Sequence, residues 1–228
     1  MAERSLDHHI QRDIIIRLSL AENLRFSDLK PTGLENNHFM YHLKLLIKDG
    51  LIRKDGNLYS LAPAGLTYVD QLSYKKRRPR QQPKIIAILV INNGKDQYLL
   101  ARRRVQPYFG YAMLPSGKQH FAESPFDHAA RELKEKTGLS TELKKCGYVN
   151  VKISGQGQVI SHVAAHVFSG RIKSGLEIKQ GDERFELFWQ DSGKLSEAKL
   201  MPGSAEIVEL IKTSPGQIFF ESLEYSLP

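Results

Sequence analysis

The stretch from Gly117 to Leu139, GKQHFAESPFDHAARELKEKTGL, constrains this chain more than any other. Its local signals agree on a loop feeding a helix over about 125–137. Ser124 can cap that helix, Pro125 suits its first position, and Asp127 favours the positive end of its dipole. Ala129, Ala130 and Leu133 can pack inward, and Gly138 suits a left-handed stop after the last turn. Glu132 and Glu135 are three residues apart and share a face, and Lys136 follows on that face. Carboxylates so placed offer the oxygen ligands that Mg²⁺ or Mn²⁺ prefers when it bridges to phosphates. Glu123, in the preceding loop, can meet Arg131. The plainer reading of Glu132 and Lys136 is an i,i+4 surface ion pair worth about 0.3–0.5 kcal/mol.

The chain has 228 residues, comfortable for two domains. The stretch Ser73–Pro83 holds two prolines and five basic residues without apolar periodicity, and it reads as an exposed linker. It serves either as a solvated tether or as a basic arm touching DNA phosphates. The expected organisation is therefore residues 1–72, a linker over 73–83, and residues 84–228. The first 82 residues hold 14 Lys+Arg against 9 Asp+Glu, and the remainder 19 against 16. The basic excess leans to the smaller part, which puts nucleic acid among its candidate partners. No apolar run approaches the ~20 residues of a membrane span, and the N-terminus has no apolar signal region. A cytoplasmic protein without a membrane partner is expected. The single Cys146 cannot form an internal disulfide, which suits a reducing compartment.

Before the linker the pattern is helical. Ile10, Ile14 and Leu18 recur every four residues and predict a helix over roughly 8–21. Ser27 is read as the cap of a short second helix. A third helix runs from about Asn36 to Lys48, with Phe39, Leu43, Leu46 and Ile47 inward and Gly50 closing it. Asn37, Tyr41, Lys44 and Lys48 line another face. Residues 51–61 read as a hairpin with Asp55-Gly56 as its turn, and a last helix follows over about 64–72. The segment HFMYHLKLLIKDGLIRKDGNLYSLAPAG resembles the winged helix-turn-helix domain of bacterial transcription regulators. That resemblance implies double-stranded DNA as partner, with Asn37, Tyr41, Lys44 and Lys48 at the major groove and Arg53 and Lys54 on the wing. Amide and phenol groups can read base edges, and lysines can meet phosphates. The alternative is a winged helix used for protein contacts or dimerisation.

After the linker, strands are expected at 85–91, 97–101, 142–152, 158–169 and 185–190, with helices at 125–137 and 204–212. Asn92-Asn-Gly94 and Gly155-Gln-Gly157 supply turns. A mixed sheet with helices packed on it gives an α+β arrangement. Arg102, Arg103 and Arg104 can grip phosphates by charge-assisted contacts, with Arg102 and Arg104 taken as the ligand-binding pair. Tyr108, Phe109 and Tyr111 are candidates for stacking on a base or for packing. His120 and His128 show no ligand spacing and read as polar surface residues.

The opening stretch closely resembles the Nudix box, G-x5-E-x7-R-E-U-x-E-E-x-G-U, where U is aliphatic. Gly117, Glu123, Arg131, Glu132, Leu133, Glu135, Gly138 and Leu139 fill its positions, whereas Lys136 stands where the second acid of the final pair belongs. Ser116 stands where the family often has a second glycine. The resemblance covers about 84–212 and implies an α/β/α sandwich. It also implies Mg²⁺- or Mn²⁺-dependent hydrolysis of a nucleoside diphosphate linked to another group. By position, Glu132 and Glu135 become the catalytic metal ligands, the Gly117 carbonyl a further ligand, and Glu123 and Arg131 supporting residues. Lys136 removes a carboxylate and adds a cation, which weakens metal binding unless Glu183 or Glu186 substitutes. The expected function is a ligand-responsive DNA-binding regulator whose second domain binds a nucleotide-derived molecule with weak or no hydrolysis. A homodimer is expected because regulators match palindromic half-sites. An active hydrolase with an accessory winged helix is the alternative, and a protein-interaction scaffold is a third reading.

Overall fold

The computed structural model describes Leu6 and residues 8–73, 75–173 and 175–227. Contacts divide the chain into two compact units, Met1–Gln82 and Pro83–Pro228.

The first unit is built on α1 (His9–Leu18), β1 (Leu24–Arg25), α2 (Phe26–Leu29), α3 (Asn36–Lys48), β2 (Ile52–Asp55), β3 (Leu58–Leu61) and α4 (Pro63–Asp70). Ile10, Ile14, Ile15 and Leu18 of α1 meet Phe39, Leu43 and Leu46 of α3 in one core. Helix α1 is shorter than its apolar spacing suggested, because Leu20 lies 75% exposed beyond it. Ser27 does not cap α2. The Arg25 N–H donates to Asp28 Oδ2 at 3.2 Å, so the first-turn carboxylate satisfies the helix start instead. The hairpin turn is Gly56-Asn57, not Asp55-Gly56, because Asp55 pairs with Leu58 in the ladder. Gly56 takes a φ of +55 as the first turn residue, where glycine is tolerated without strain. Strand β3 lies between β1 and β2. Part of the expected linker is ordered: β4 (Leu72–Ser73) pairs with β5 (Arg78–Pro79), and Arg77 forms an ion pair with Asp13. The basic residues of that hairpin remain exposed.

The second unit is a mixed sheet between two helices. Its elements are β6 (Lys84–Asn92), β7 (Gln97–Arg103), β8 (Ala112–Met113), β9 (Ser116–Lys118), α5 (Pro125–Thr137), β10 (Lys144–Gly155), β11 (Gln158–Arg171), β12 (Gly181–Asp182), β13 (Phe185–Asp191), a 3₁₀ turn over Ser192–Glu197, α6 (Ser204–Thr213) and β14 (Phe219–Leu227). The main strand order is β12-β13-β7-β6-β11-β10-β14, with β8 on β7 and β9 on β6. The β6–β11 and β10–β14 pairs are parallel, and the others are antiparallel. Strand β6 is apolar from Ile85 to Ile91, and its buried part, Ala87 to Ile91, is covered on both faces. Ala87, Leu89 and Ile91 pack with Ala129 and Leu133 of α5, whereas Ile88 and Val90 pack with Ile207 and Val208 of α6. Strand β14 was missed from sequence. Its inward set, Phe219, Leu223, Tyr225 and Leu227, is diluted by exposed Phe220 and Glu221 at the sheet edge. Among the described residues, no helix is long and apolar enough to cross a membrane.

Candidate functional site

Helix α5 starts and stops where its local chemistry dictates. Ser124 Oγ accepts from the Asp127 N–H at 3.2 Å, Pro125 occupies the first turn, and Gly138 closes the helix at φ +77. The helix lies against β9, whose Gly117 pairs with Ala87 of β6. That close approach sets the position of Glu132. A Cβ on residue 117 would fall 1.9 Å from Glu132 Oε2, so glycine is what lets the carboxylate sit against the strand. Glu132 is only 5% exposed. It is therefore not half of a surface ion pair, as the i,i+4 spacing alone allowed.

Two cations hold this buried carboxylate. Arg131 Nη1 donates to Glu132 Oε1 at 2.9 Å, and Lys136 Nζ lies 3.1 Å from Oε2. The lysine's hydrogen bond goes to the Ser116 carbonyl of β9, and Oε2 itself is left in ionic contact without a hydrogen bond. Lys136 thus turns inward rather than extending to solvent. Arg131 also grips Glu123 through Nε at 2.7 Å and Nη2 at 3.0 Å, and reaches Glu135 at 3.2 Å. The Glu135 side chain is 62% exposed. His128, expected on the surface, is fully buried, with Nε2 3.9 Å from Glu132 Oε1. Burial pushes its pKa below the ordinary value, so it is a neutral neighbour of the carboxylate.

The arginine fork holds the Glu123 carboxyl at a pKa of about 2, well below its ordinary 4.5, with the His120 N–H bond assisting against desolvation. A depressed carboxyl pKa contributes stability above the unfolded value and loses it as pH falls through the folded one. The stability difference between the wild type and Glu123→Gln should accordingly be constant above about pH 4.5 and shrink toward pH 2. Urea unfolding of both proteins across that range measures it; a difference independent of pH would contradict the assignment. Gly117→Ala forces Glu132 off its seat, and an overpacking cost of about 1–3 kcal/mol is expected. Thermal unfolding at neutral pH checks this, and Ser116→Ala serves as a nearby control.

These residues do not fit a resident divalent cation on α5. Glu123 is committed to Arg131, and Glu132 is neutralised by Arg131 and Lys136. Glu135 alone extends toward solvent. Glu186 pairs with Arg104 at 3.0 Å and offers no replacement ligand; Glu183 lies exposed.

Beside Gly117 a cavity of about 260 Å³ opens over the α6 side of the sheet. Its floor is apolar, from Ile86, Ile88 and Val151, and its polar wall carries Lys84, Arg103 and Lys118. Among the described residues, no Asp or Glu lines it. Burial pushes the pKa values of Lys84 and Arg103 down, with neighbouring cations adding to the effect at Lys84, so an anionic guest would relieve both. The structure separates the three arginines. Arg103 lines the cavity, whereas Arg102 lies 4.8 Å over the Phe188 ring and Arg104 pairs with Glu186. Strand alternation separates residue 103 from its two neighbours, and sequence alone does not say which parity faces the cavity. Tyr108 packs into the core beside the cavity, and Phe109 is 60% exposed.

In the first unit, Asn37, Tyr41, Lys44 and Lys48 are exposed along α3, and Arg53 and Lys54 are exposed on β2. Arg53 Nε donates to Ser60 Oγ at 2.9 Å, which steadies its stem while leaving guanidinium donors available.

The second unit is thus a mixed sheet between two helices, with Gly117 of β9 packed on Glu132 of α5. Residues 82–211 match the NUDIX domain, and the chain belongs to that family. It is similar to a putative 8-oxo-dGTP diphosphatase of Bacillus subtilis, 29% identical over 109 residues that span 48% of this chain and 67% of the relative. It is also similar to the ADP-ribose pyrophosphatase of Methanocaldococcus jannaschii, 28% identical over 134 residues, 56% of this chain and 79% of that one. Among solved structures, the NUDIX domain of Shewanella oneidensis NrtR, complexed with ADP ribose, aligns with a TM-score of 0.52 at 15% identity. The alignment covers 65% of this chain and 96% of that one, and the likeness is one of fold.

Proposed function

We propose that this chain is a ligand-responsive DNA-binding regulator whose NUDIX domain binds a nucleoside-diphosphate-type molecule with little or no hydrolysis. The observation that carries this reading is Lys136, whose ammonium lies between the Glu132 carboxylate and the Ser116 carbonyl. A fixed cation there takes the place of a metal ion on the carboxylate and repels one that approaches. The cavity beside Gly117 supports an anionic ligand, since three cationic side chains line it and, among the described residues, no acid does. ADP-ribose and 8-oxo-dGTP, named for the two relatives, belong to that chemical class.

The first unit supplies the DNA-binding part of the reading. Asn37 and Tyr41 on α3 would face base edges, and Lys44, Lys48, Arg53 and Lys54 would meet phosphates. Two such units in a homodimer would match two half-sites. Ligand and DNA would then communicate by preferring different arrangements of the chain. The test combines a melting-temperature screen of nucleotide sugars and dinucleotides, with and without Mg²⁺, and a DNA-binding titration on sequences upstream of the chain's own and neighbouring genes. A ligand that raises the midpoint without metal and alters DNA affinity supports the regulator. Absence of DNA affinity at low salt overturns it. Lys44→Ala is expected to weaken DNA binding uniformly across sequences and to reduce the slope of log K against log salt by about 1.

One observation favours a second reading. Glu132 and Glu135 both remain, and Glu135 is exposed enough to take a metal delivered with a substrate's phosphates. An Mg²⁺- or Mn²⁺-dependent hydrolase of a nucleoside diphosphate derivative would then release products from the same panel.

A further inference from the structure

Three histidines from two parts of the first unit converge, one at the start of α1 and two on α3. His8 precedes α1, and its Nδ1 accepts from the Ile10 N–H at 3.3 Å. His38 and His42 are one turn apart on α3, with their Nε2 atoms 3.3 Å from each other. The His8 ring stacks on that of His42 at a centroid distance of 3.9 Å. One ring nitrogen from each residue lies within 4.8 Å of those of the other two. His42 is only 6% exposed, and its Nδ1 is buried without a hydrogen-bond partner among the described residues. His38 is exposed, which leaves the cluster open to solvent on one side.

Imidazole nitrogens are common ligands for metal ions, and each of the three residues offers one. Spacing of i,i+4 puts two imidazoles on one helix face, as in helical zinc sites. Nitrogens about 2.0–2.1 Å from a tetrahedral ion stand about 3.3–3.4 Å apart, which the His38–His42 pair already satisfies.

We propose that His8, His38 and His42 form a binding site for one late first-row divalent transition-metal ion, zinc foremost, with the fourth position taken by water. Three imidazoles select zinc, cobalt, nickel or copper over Mg²⁺, so this site differs in kind from the carboxylates of α5. Ligation requires the His8 ring to turn out of its stack on His42. A bound ion would tie the start of α1 to α3 and hold the helix that carries Asn37 and Tyr41. The inference does not depend on the DNA-binding reading.

The test uses the full chain, stripped with chelator and titrated with Co²⁺ and then Zn²⁺. One ion per chain should bind, cobalt should show the visible bands of tetrahedral coordination, and zinc should raise the melting temperature. His38→Ala removes an exposed side chain and leaves the core intact; it should weaken binding by at least about 10-fold. His8→Ala should do the same, and His9→Ala should bind as the wild type does. Absence of stoichiometric binding overturns the proposal, as does binding that His38→Ala and His8→Ala both leave unchanged.

Discussion

Lys136→Glu should melt earlier in chelator, recover that loss with Mg²⁺, and hydrolyse ADP-ribose-type substrates at least about 100-fold faster than the wild type, equivalent to about 2.7 kcal/mol of barrier. The wild-type ammonium lies 3.1 Å from Glu132 Oε2. Unit charges ~4 Å apart interact by ~4 kcal/mol at an effective dielectric of ~20, so the lysine is a strong partner for a carboxylate that is nearly enclosed. A glutamate in its place reverses the sign of that interaction. Without metal, two acids then crowd against Gly117, and the fold weakens. With Mg²⁺, the two acids and Glu135 become the oxygen ligands that such an ion prefers. A metal-dependent melting temperature is the cleaner readout, since it needs no knowledge of the substrate. If the variant shows neither metal-dependent stability nor turnover, the lysine is not what keeps metal from α5. If the wild type already turns over as fast as the variant, the hydrolase reading displaces the regulator.

Glu132→Ala is the second large effect, an expected loss of about 3 kcal/mol in unfolding free energy. Removing one partner of a buried ion pair strands the other, and here Lys136 loses its one carboxylate partner among the described residues. The cost lies at the lower end of the range for such deletions because Arg131 keeps its two bonds to Glu123. Adding Lys136→Met to Glu132→Ala should return part of the loss, since it removes the stranded charge. The double-mutant cycle isolates the pair from the other contacts. Urea denaturation with an unchanged slope measures each variant. A Glu132→Ala loss below about 0.5 kcal/mol would place the pair among ordinary surface ion pairs after all.

Much of the architecture was legible because it is written in neighbours. The bounds of α5 follow from Ser124, Pro125 and Gly138, all within reach of the helix ends they terminate. The core face of α3 follows from Phe39, Leu43 and Leu46 at helical spacing. The apolar run at 85–91 predicted a strand, and β6 forms there, with helices on both of its faces. Where several local solutions compete, the sequence was less informative. Asp55-Gly56 and Gly56-Asn57 are both acceptable turns, and the pairing of Asp55 with Leu58 chose between them. Strand β14 has half its residues exposed at a sheet edge, so its alternation is weak.

By itself, the sequence determined the helix that bears Glu132 and Glu135, the replacement of a third acid by Lys136, and the family to which that spacing belongs. Only the tertiary structure decided that Glu132 is enclosed, that Lys136 turns inward to Ser116, and that Arg103 rather than Arg102 or Arg104 lines the cavity. It alone brought His8 to His38 and His42 across about thirty residues of chain. Caps, turns and amphipathic stripes depend on residues a few positions apart, whose geometry the backbone fixes locally. The enclosure of a carboxylate and the meeting of ligands depend on which strand lies against which helix, and that is settled when the whole core packs.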